Sequence, residues 1–161
     1  MKLEYVEGDA TRPAAPGPKI LVHVCNDVGR WGKGFVLAIS RRWKEPEQVF
    51  KANFALGLNS ALGDVQFVAV ADDLRVANLI GQHGIAGRGT TTPPVRYDAI
   101  GRGLQTVRDR AQLSGASVHM PRIGAGLAGG DWPRIEAIVI ATLIKCDVPT
   151  TVYDFAAPSR A

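Results

Sequence analysis

Two glycine-rich stretches hold the residues of this chain whose types and spacing could do chemistry. The first reads Asn26-Asp27-Val28-Gly29-Arg30-Trp31-Gly32-Lys33-Gly34. The second reads Pro121-Arg122-Ile123-Gly124-Ala125-Gly126-Leu127-Ala128-Gly129-Gly130-Asp131-Trp132. Without a Cβ, glycine lets the backbone approach a ligand closely and turn successive N–H groups toward one point. Donors gathered that way at the start of a helix, where the dipole is positive, suit an anion, and Lys33 adds a point charge. Two such loops in one small domain call for a ligand with more than one anionic group, and a diphosphate is the simplest choice. Neither loop has the Gly-Lys-Ser/Thr run of a P-loop. The first spaces its glycines G-x-x-G-x-G, the reverse of the dinucleotide fingerprint, and follows the second strand rather than the first.

Each loop must follow a strand and open a helix. Residues 2–7 read as a short strand, and 11–18, with three prolines, as a loop. Residues 19–25 form a nearly continuous apolar run, the pattern of a strand buried on both faces. After the first glycine loop, 35–43 and 47–56 read as helices. Residues 64–70 and 74–80 read as strands joined by a tight turn. The stretch 81–94, rich in Gly, Thr and Pro, reads as a long loop of the kind that carries function. Tyr97, Ile100, Leu104, Val107 and Ala111 recur at steps of three and four, an apolar helical stripe. A strand at 117–120 leads into the second glycine loop. A buried helix over 135–144 follows it, with Pro133 in the first turn, then a strand at 150–155 and a frayed tail over 156–161. Alternating strands and helices predict an α/β fold, a three-layer α/β/α sandwich with a central mixed sheet, and one domain over 1–161.

Composition narrows the function. The 161 residues are 46% apolar and 21% charged, enough for a real core. No apolar run is long enough to span a membrane, and the N-terminus lacks a secretory h-region, which predicts a cytoplasmic protein without a membrane partner. The net charge of +4 is mild and scattered, compatible with an anionic ligand and too weak for duplex DNA. Cys25 and Cys146 read as buried thiols, not a disulfide or zinc site, and no cofactor or metal is implied. His23 and His119 read as core histidines. Asp27 reads as a second carboxylate candidate, and His83 as a loop residue within reach of a ligand.

These residues resemble the macrodomain family. The resemblance rests on Gly8-Asp9-Ala10 after the first strand and on His23-Val24-Cys25-Asn26-Asp27 with the glycines at 29, 32 and 34. Met120-Pro121-Arg122-Ile123-Gly124-Ala125-Gly126-Leu127, the most specific of the three, completes it. The branch it resembles most is that of the terminal ADP-ribose protein glycohydrolases and their bacterial relatives. The resemblance implies that ADP-ribose, free or on a modified protein, is the partner of a monomeric domain. Nucleic acid is then a partner only as an ADP-ribosylated substrate. Asp9 would accept from the adenine amino group, beside Ala10, with Tyr153 or Phe155 packed on the ring. Asn26, Gly32, Lys33 and Gly34 would line the distal ribose and phosphates, with Trp31, at an exposed loop tip, either covering the ribose or packing under the loop. Arg122, Ile123, Gly124, Ala125, Gly126 and Leu127 would form the diphosphate loop.

The chain departs from that branch at two places. Gln82 stands where the branch has a lysine, and glutamine cannot form a covalent adduct with an opened ribose. Ala128 stands where the branch has an acid, and the nearest carboxylate is Asp131. The expectation is therefore a lysine-independent hydrolase of ADP-ribosyl-glutamate. Asp131 would activate water in it and Asn26 would fix the ribose, unless Asp131 is only the N-cap of the helix at 132. A non-catalytic ADP-ribose reader is the alternative. So is a hydrolase of ADP-ribose 1″-phosphate, O-acetyl-ADP-ribose or ADP-ribosylated DNA.

Overall fold

The computed structural model describes residues 1–85 and 92–155. The tail 156–161 and the middle of the long loop lie outside the described residues. Six strands form one sheet: β1 (Glu4–Glu7), β2 (Lys19–Asn26), β3 (Val65–Ala71), β4 (Leu74–Gln82), β5 (Ser117–Met120) and β6 (Thr150–Asp154). Their order is β1-β6-β5-β2-β4-β3. Only β3 runs against its neighbour, as the hairpin partner of β4, and the sheet is mixed as expected.

Alternation along β2 explains the layers. Ile20 and Val22 face a core shared with α3 (Tyr97–Ser114) and α4 (Trp132–Thr142). Leu21 and Cys25 face the opposite core, closed by Val36 and Ile39 of α1 (Phe35–Arg42) and Phe50 of α2 (Glu45–Leu56). Both faces of the sheet are covered, which is why its middle strand reads as continuously apolar. On α3, Ile100, Leu104, Val107 and Ala111 are at most 2% exposed, so the helical stripe faces the core as its spacing predicts.

Element boundaries differ from the sequence expectation chiefly at two helices. The second helix starts at Glu45, with Pro46 in its first turn. The last helix ends at Thr142, and the chain tightens into a 3-10 turn at Ile144–Cys146, where the Leu143 carbonyl accepts from both Cys146 and Val148. The first strand is exposed at all four positions because it lies at the sheet edge. Cys25 is buried as expected, whereas Cys146 is only half-buried; both are free thiols. Among the described residues no helix is long and apolar enough to cross a membrane.

The parallel strands point their carboxyl ends to one edge of the sheet. Ligands of open α/β sheets bind at that edge.

Candidate functional site

A cleft follows that edge. It consists of two cavities of about 670 and 370 Å³ that share Gly34, Phe35, Pro121 and Arg122. Its walls repeat the strand order. Gly8 to Thr11 follow β1, Tyr153 to Phe155 end β6, Pro121 and Arg122 follow β5, Gly34 belongs to the loop after β2, and Gln82 ends β4. Four inter-strand spacings make a span of roughly 19 Å, long enough for an extended ligand with two different ends.

At the β1–β6 end, side chains are pinned by other groups. Asp9 Oδ1 accepts from the Thr11 amide at 2.9 Å and the Thr11 hydroxyl at 2.7 Å. Among the described residues, the only cation near its Oδ2 is Arg12, at 3.9 Å. The Tyr153 hydroxyl lies 2.7 Å from His119 Nδ1, while His119 Nε2 lies 2.8 Å from the Ser117 hydroxyl. Burial, helped by the charge of Lys19, lowers His119 to a pKa of about 4, so the ring is neutral. This pairing holds the hydroxyl and leaves the tyrosine ring as cleft wall. Phe155 offers a second ring, 75% exposed. Arg122, at the junction, donates through Nε and Nη2 to Asp154 at 2.6 and 3.0 Å and lies over Tyr5 and Trp132, 5.2 and 5.5 Å from their ring centroids.

At the other end the wall is backbone. Gly34 has φ +82°, a conformation other residues rarely adopt, and a Cβ there would lie 3.3 Å from Leu127 Cδ1. The two glycine loops therefore touch across the cleft. The amides of Gly126, Leu127 and Ala128 donate to nothing among the described residues. Gly130 locks the second loop by donating to the Gly124 carbonyl at 2.8 Å. Beneath the loops, His23 Nε2 lies 2.6 Å from Asn78 Oδ1, and Asn78 donates to Pro46 and Gln66. Burial takes His23 to about 4, so a second neutral imidazole supports this end. Gln82 donates to the Gly84 carbonyl at 2.9 Å, which leaves its Oε1 to accept from the cleft.

Most sequence-predicted residues converge here. Asp9, Ala10, Lys33, Gly34, Gln82, Arg122, Ile123, Gly124, Gly126, Leu127 and Tyr153 all line the cleft. Five do not. Trp31 is 7% exposed, not an exposed tip: it packs edge-on to His23 and against Phe50, and its indole N–H donates to Ser40 at 2.7 Å. A large ring on a loop above a core gains more by burial than by exposure. Asn26 does not face the cleft, because its side chain accepts from Val28 and Arg30 and donates to the Arg30 carbonyl, which braces the first loop. Asp131 is exposed at the N-cap of α4 and lies on neither cavity wall, its backbone carbonyl engaged in starting that helix. Gly32 is exposed and off the wall, and the Ala125 amide is taken by the Arg122 carbonyl.

Sequence reasoning missed Phe35, Ala38, Arg41 and Arg42, all on the cleft wall. Their spacing along α1 was the available signal, since residues three and four apart share a face. It also missed that Asp27 pairs with His83 at 2.7 Å, its other oxygen accepting from the Gly84 amide at 2.8 Å. Burial alone would raise the Asp27 carboxyl, but those partners hold it below its ordinary value. This pair opens onto a different cavity, lined by Ser60 and Asp64.

A solved structure of a macrodomain protein from Streptomyces coelicolor is 50% identical, with a TM-score of 0.85, over 96% of this chain and all of that one. The chain belongs to the macrodomain family. The mouse chromodomain-helicase-DNA-binding protein 1-like is 31% identical over 95% of this macrodomain, which spans 18% of that protein's length. Two relatives matched over 91% of their own length are 24% identical: an ADP-ribose 1″-phosphate phosphatase of Lodderomyces elongisporus, over 86% of this chain, and the ADP-ribose glycohydrolase OARD1 of Bos taurus, over 94%. No family model matches the chain.

Proposed function

We propose that this single macrodomain binds ADP-ribose, free or attached to a protein. The adenosine would lie at the β1–β6 end and the diphosphate between the glycine loops. One observation carries the reading: a carboxylate acceptor with an aromatic wall and a run of loop amides that donate to nothing among the described residues occupy opposite ends of one cleft. Asp9 Oδ2 accepts from the adenine amino group, Tyr153 and Phe155 pack on the ring, and the amides of Gly126 to Ala128 take the phosphates. The distal ribose then reaches Lys33 and Gln82.

We further infer that the cleft hydrolyses the bond at C1″, with ADP-ribosyl-glutamate as the substrate. The names of the fungal and bovine relatives support hydrolysis in general. Cleavage passes through an oxocarbenium-like state, and a carboxylate leaves without a strong general acid. Positioning then supplies most of the effect: Gln82 Oε1 accepts a hydrogen bond from the attacking water, whose oxygen bonds to C1″ as the carboxylate leaves and whose proton passes to solvent. The competing reading, a non-catalytic reader, is favoured by one feature: the loop-end cavity has no carboxylate among its lining residues.

Incubating the protein with glutamate-, serine- and DNA-linked ADP-ribose and with ADP-ribose 1″-phosphate separates the readings. Release of ADP-ribose from the glutamate ester is the expected result. Tight binding without release from any of the four supports the reader, and an absence of ADP-ribose binding overturns both.

A further inference from the structure

The β1–β6 end holds more positive charge than an adenosine needs. Arg12, Arg41, Arg42 and Arg122 line its cavity against two carboxylates, Asp9 and Asp154. Arg122 neutralises Asp154 through two hydrogen bonds, and Asp9 Oδ1 serves Thr11. Arg41 has no acidic partner among the described residues, Arg42 only lies over the Trp43 ring, 5.0 Å from its centroid, and Arg12 is 3.9 Å from Asp9. The cavity therefore keeps an excess of guanidinium groups with donors to offer.

Their placement is specific. Phe35, Ala38 and Arg42 follow one another at steps of three and four on the face of α1 that walls the cleft. The helix starts at the glycine loops and ends at the arginines, roughly 10 Å further along its axis. The helix dipole accounts for basic residues in a last turn. It does not account for Arg12, which comes from the loop after β1 and faces the same space.

We propose that this end of the cleft is an anion subsite for a phosphate carried by the adenosine ribose, so that the preferred ligand is ADP-ribose phosphorylated there. This rests on the ADP-ribose reading above and adds a third phosphate site, separate from the diphosphate loops. Guanidinium groups grip phosphate through paired N–H donors, and Arg12, Arg41 and Arg42 have such donors to spare.

Calorimetric titration of the protein with ADP-ribose, with its 2′-phosphate, and with an ADP-ribose dimer joined through that ribose tests it. At low salt the 2′-phosphate should bind about tenfold tighter than ADP-ribose, as two or three exposed charge pairs would give. That gain should shrink as salt rises. Arg41→Gln with Arg42→Gln should bring the ratio of the two affinities close to one at an unchanged melting temperature. A dimer gaining as much as the 2′-phosphate identifies a continuing chain as a source of the anion, and a gain for the 2′-phosphate alone identifies a terminal phosphate; both support the subsite. Equal affinities for all three ligands overturn the subsite while sparing the ADP-ribose reading. Failure of ADP-ribose and its derivatives alike to bind overturns both.

Discussion

The two ends of the cleft recognise by different means. At the β1–β6 end, Asp9, Tyr153 and Arg122 are side chains each held by named partners. At the loop end, backbone amides are presented by glycines whose positions interlock, Gly34 against Leu127 and Gly130 against Gly124. A side-chain site can be altered one group at a time. A backbone site fails as a unit, because moving one residue moves every donor. The largest effect should therefore come from the loops. A Cβ at Gly130 would lie 2.5 Å from the Gly124 carbonyl oxygen and 2.7 Å from Ile135 Cδ1. Gly130→Ala is expected to lower stability by about 2–3 kcal/mol and ADP-ribose affinity by about tenfold or more, read by denaturant unfolding and calorimetry. Gly126→Ala, whose Cβ meets nothing within 4 Å, should leave stability unchanged.

At the other end, Asp9→Ala removes the adenine acceptor together with the two hydrogen bonds that Oδ1 accepts from the buried Thr11. Losing one charged hydrogen bond to the ligand is expected to weaken ADP-ribose binding by about 10- to 100-fold, while the unpaired Thr11 groups lower stability by about 1 kcal/mol. Equal loss of stability and affinity would mean that Asp9 chiefly holds the Thr11 turn.

The two ends share one device, a buried neutral histidine beneath each. His23 and His119 both sit at about 4, below the ordinary 6.5. Between those values the unfolded chain holds protons that the folded chain does not. Stability is then fully present above pH 6.5 and falls as pH drops from 6.5 toward 4. Melting curves across that window should show this fall and a plateau above it. Tyr153→Phe tests the β1–β6 histidine alone. It leaves His119 Nδ1 unpaired, and about 1 kcal/mol of stability should be lost while the ring still packs and affinity stays within about twofold.

The contrast between the ends also explains what the sequence made legible. Glycine loops after apolar strands can be read from the chain because their cause is local: period, missing Cβ and helix start. The pairing of Arg122 with Asp154 spans 32 positions and exists only because β5 and β6 are neighbours in the sheet. Asn26 and Trp31 were placed by loop position, yet their fates were set by nearby acceptors and a core that only the fold supplies. The arginines of α1 were hidden because a helix face is legible as apolar or polar, but not as the wall of a particular cleft.

The smallest expected effect tests the contrast most sharply. Asp131 is the carboxylate that the sequence placed nearest the reacting end, and it caps α4 through its backbone carbonyl, which accepts from Arg134 and Ile135. Its side chain makes no cap hydrogen bond. The roughly 1 kcal/mol that an N-cap side chain normally contributes is therefore absent. Asp131→Ala should change stability by less than about 0.5 kcal/mol and leave both ADP-ribose affinity and the rate of ester release where they were. A tenfold fall in release at unchanged affinity would bring a carboxylate into the loop end on ligand binding. The loop end would then act through a side chain after all, and the division between a side-chain end and a backbone end would hold only for the empty cleft.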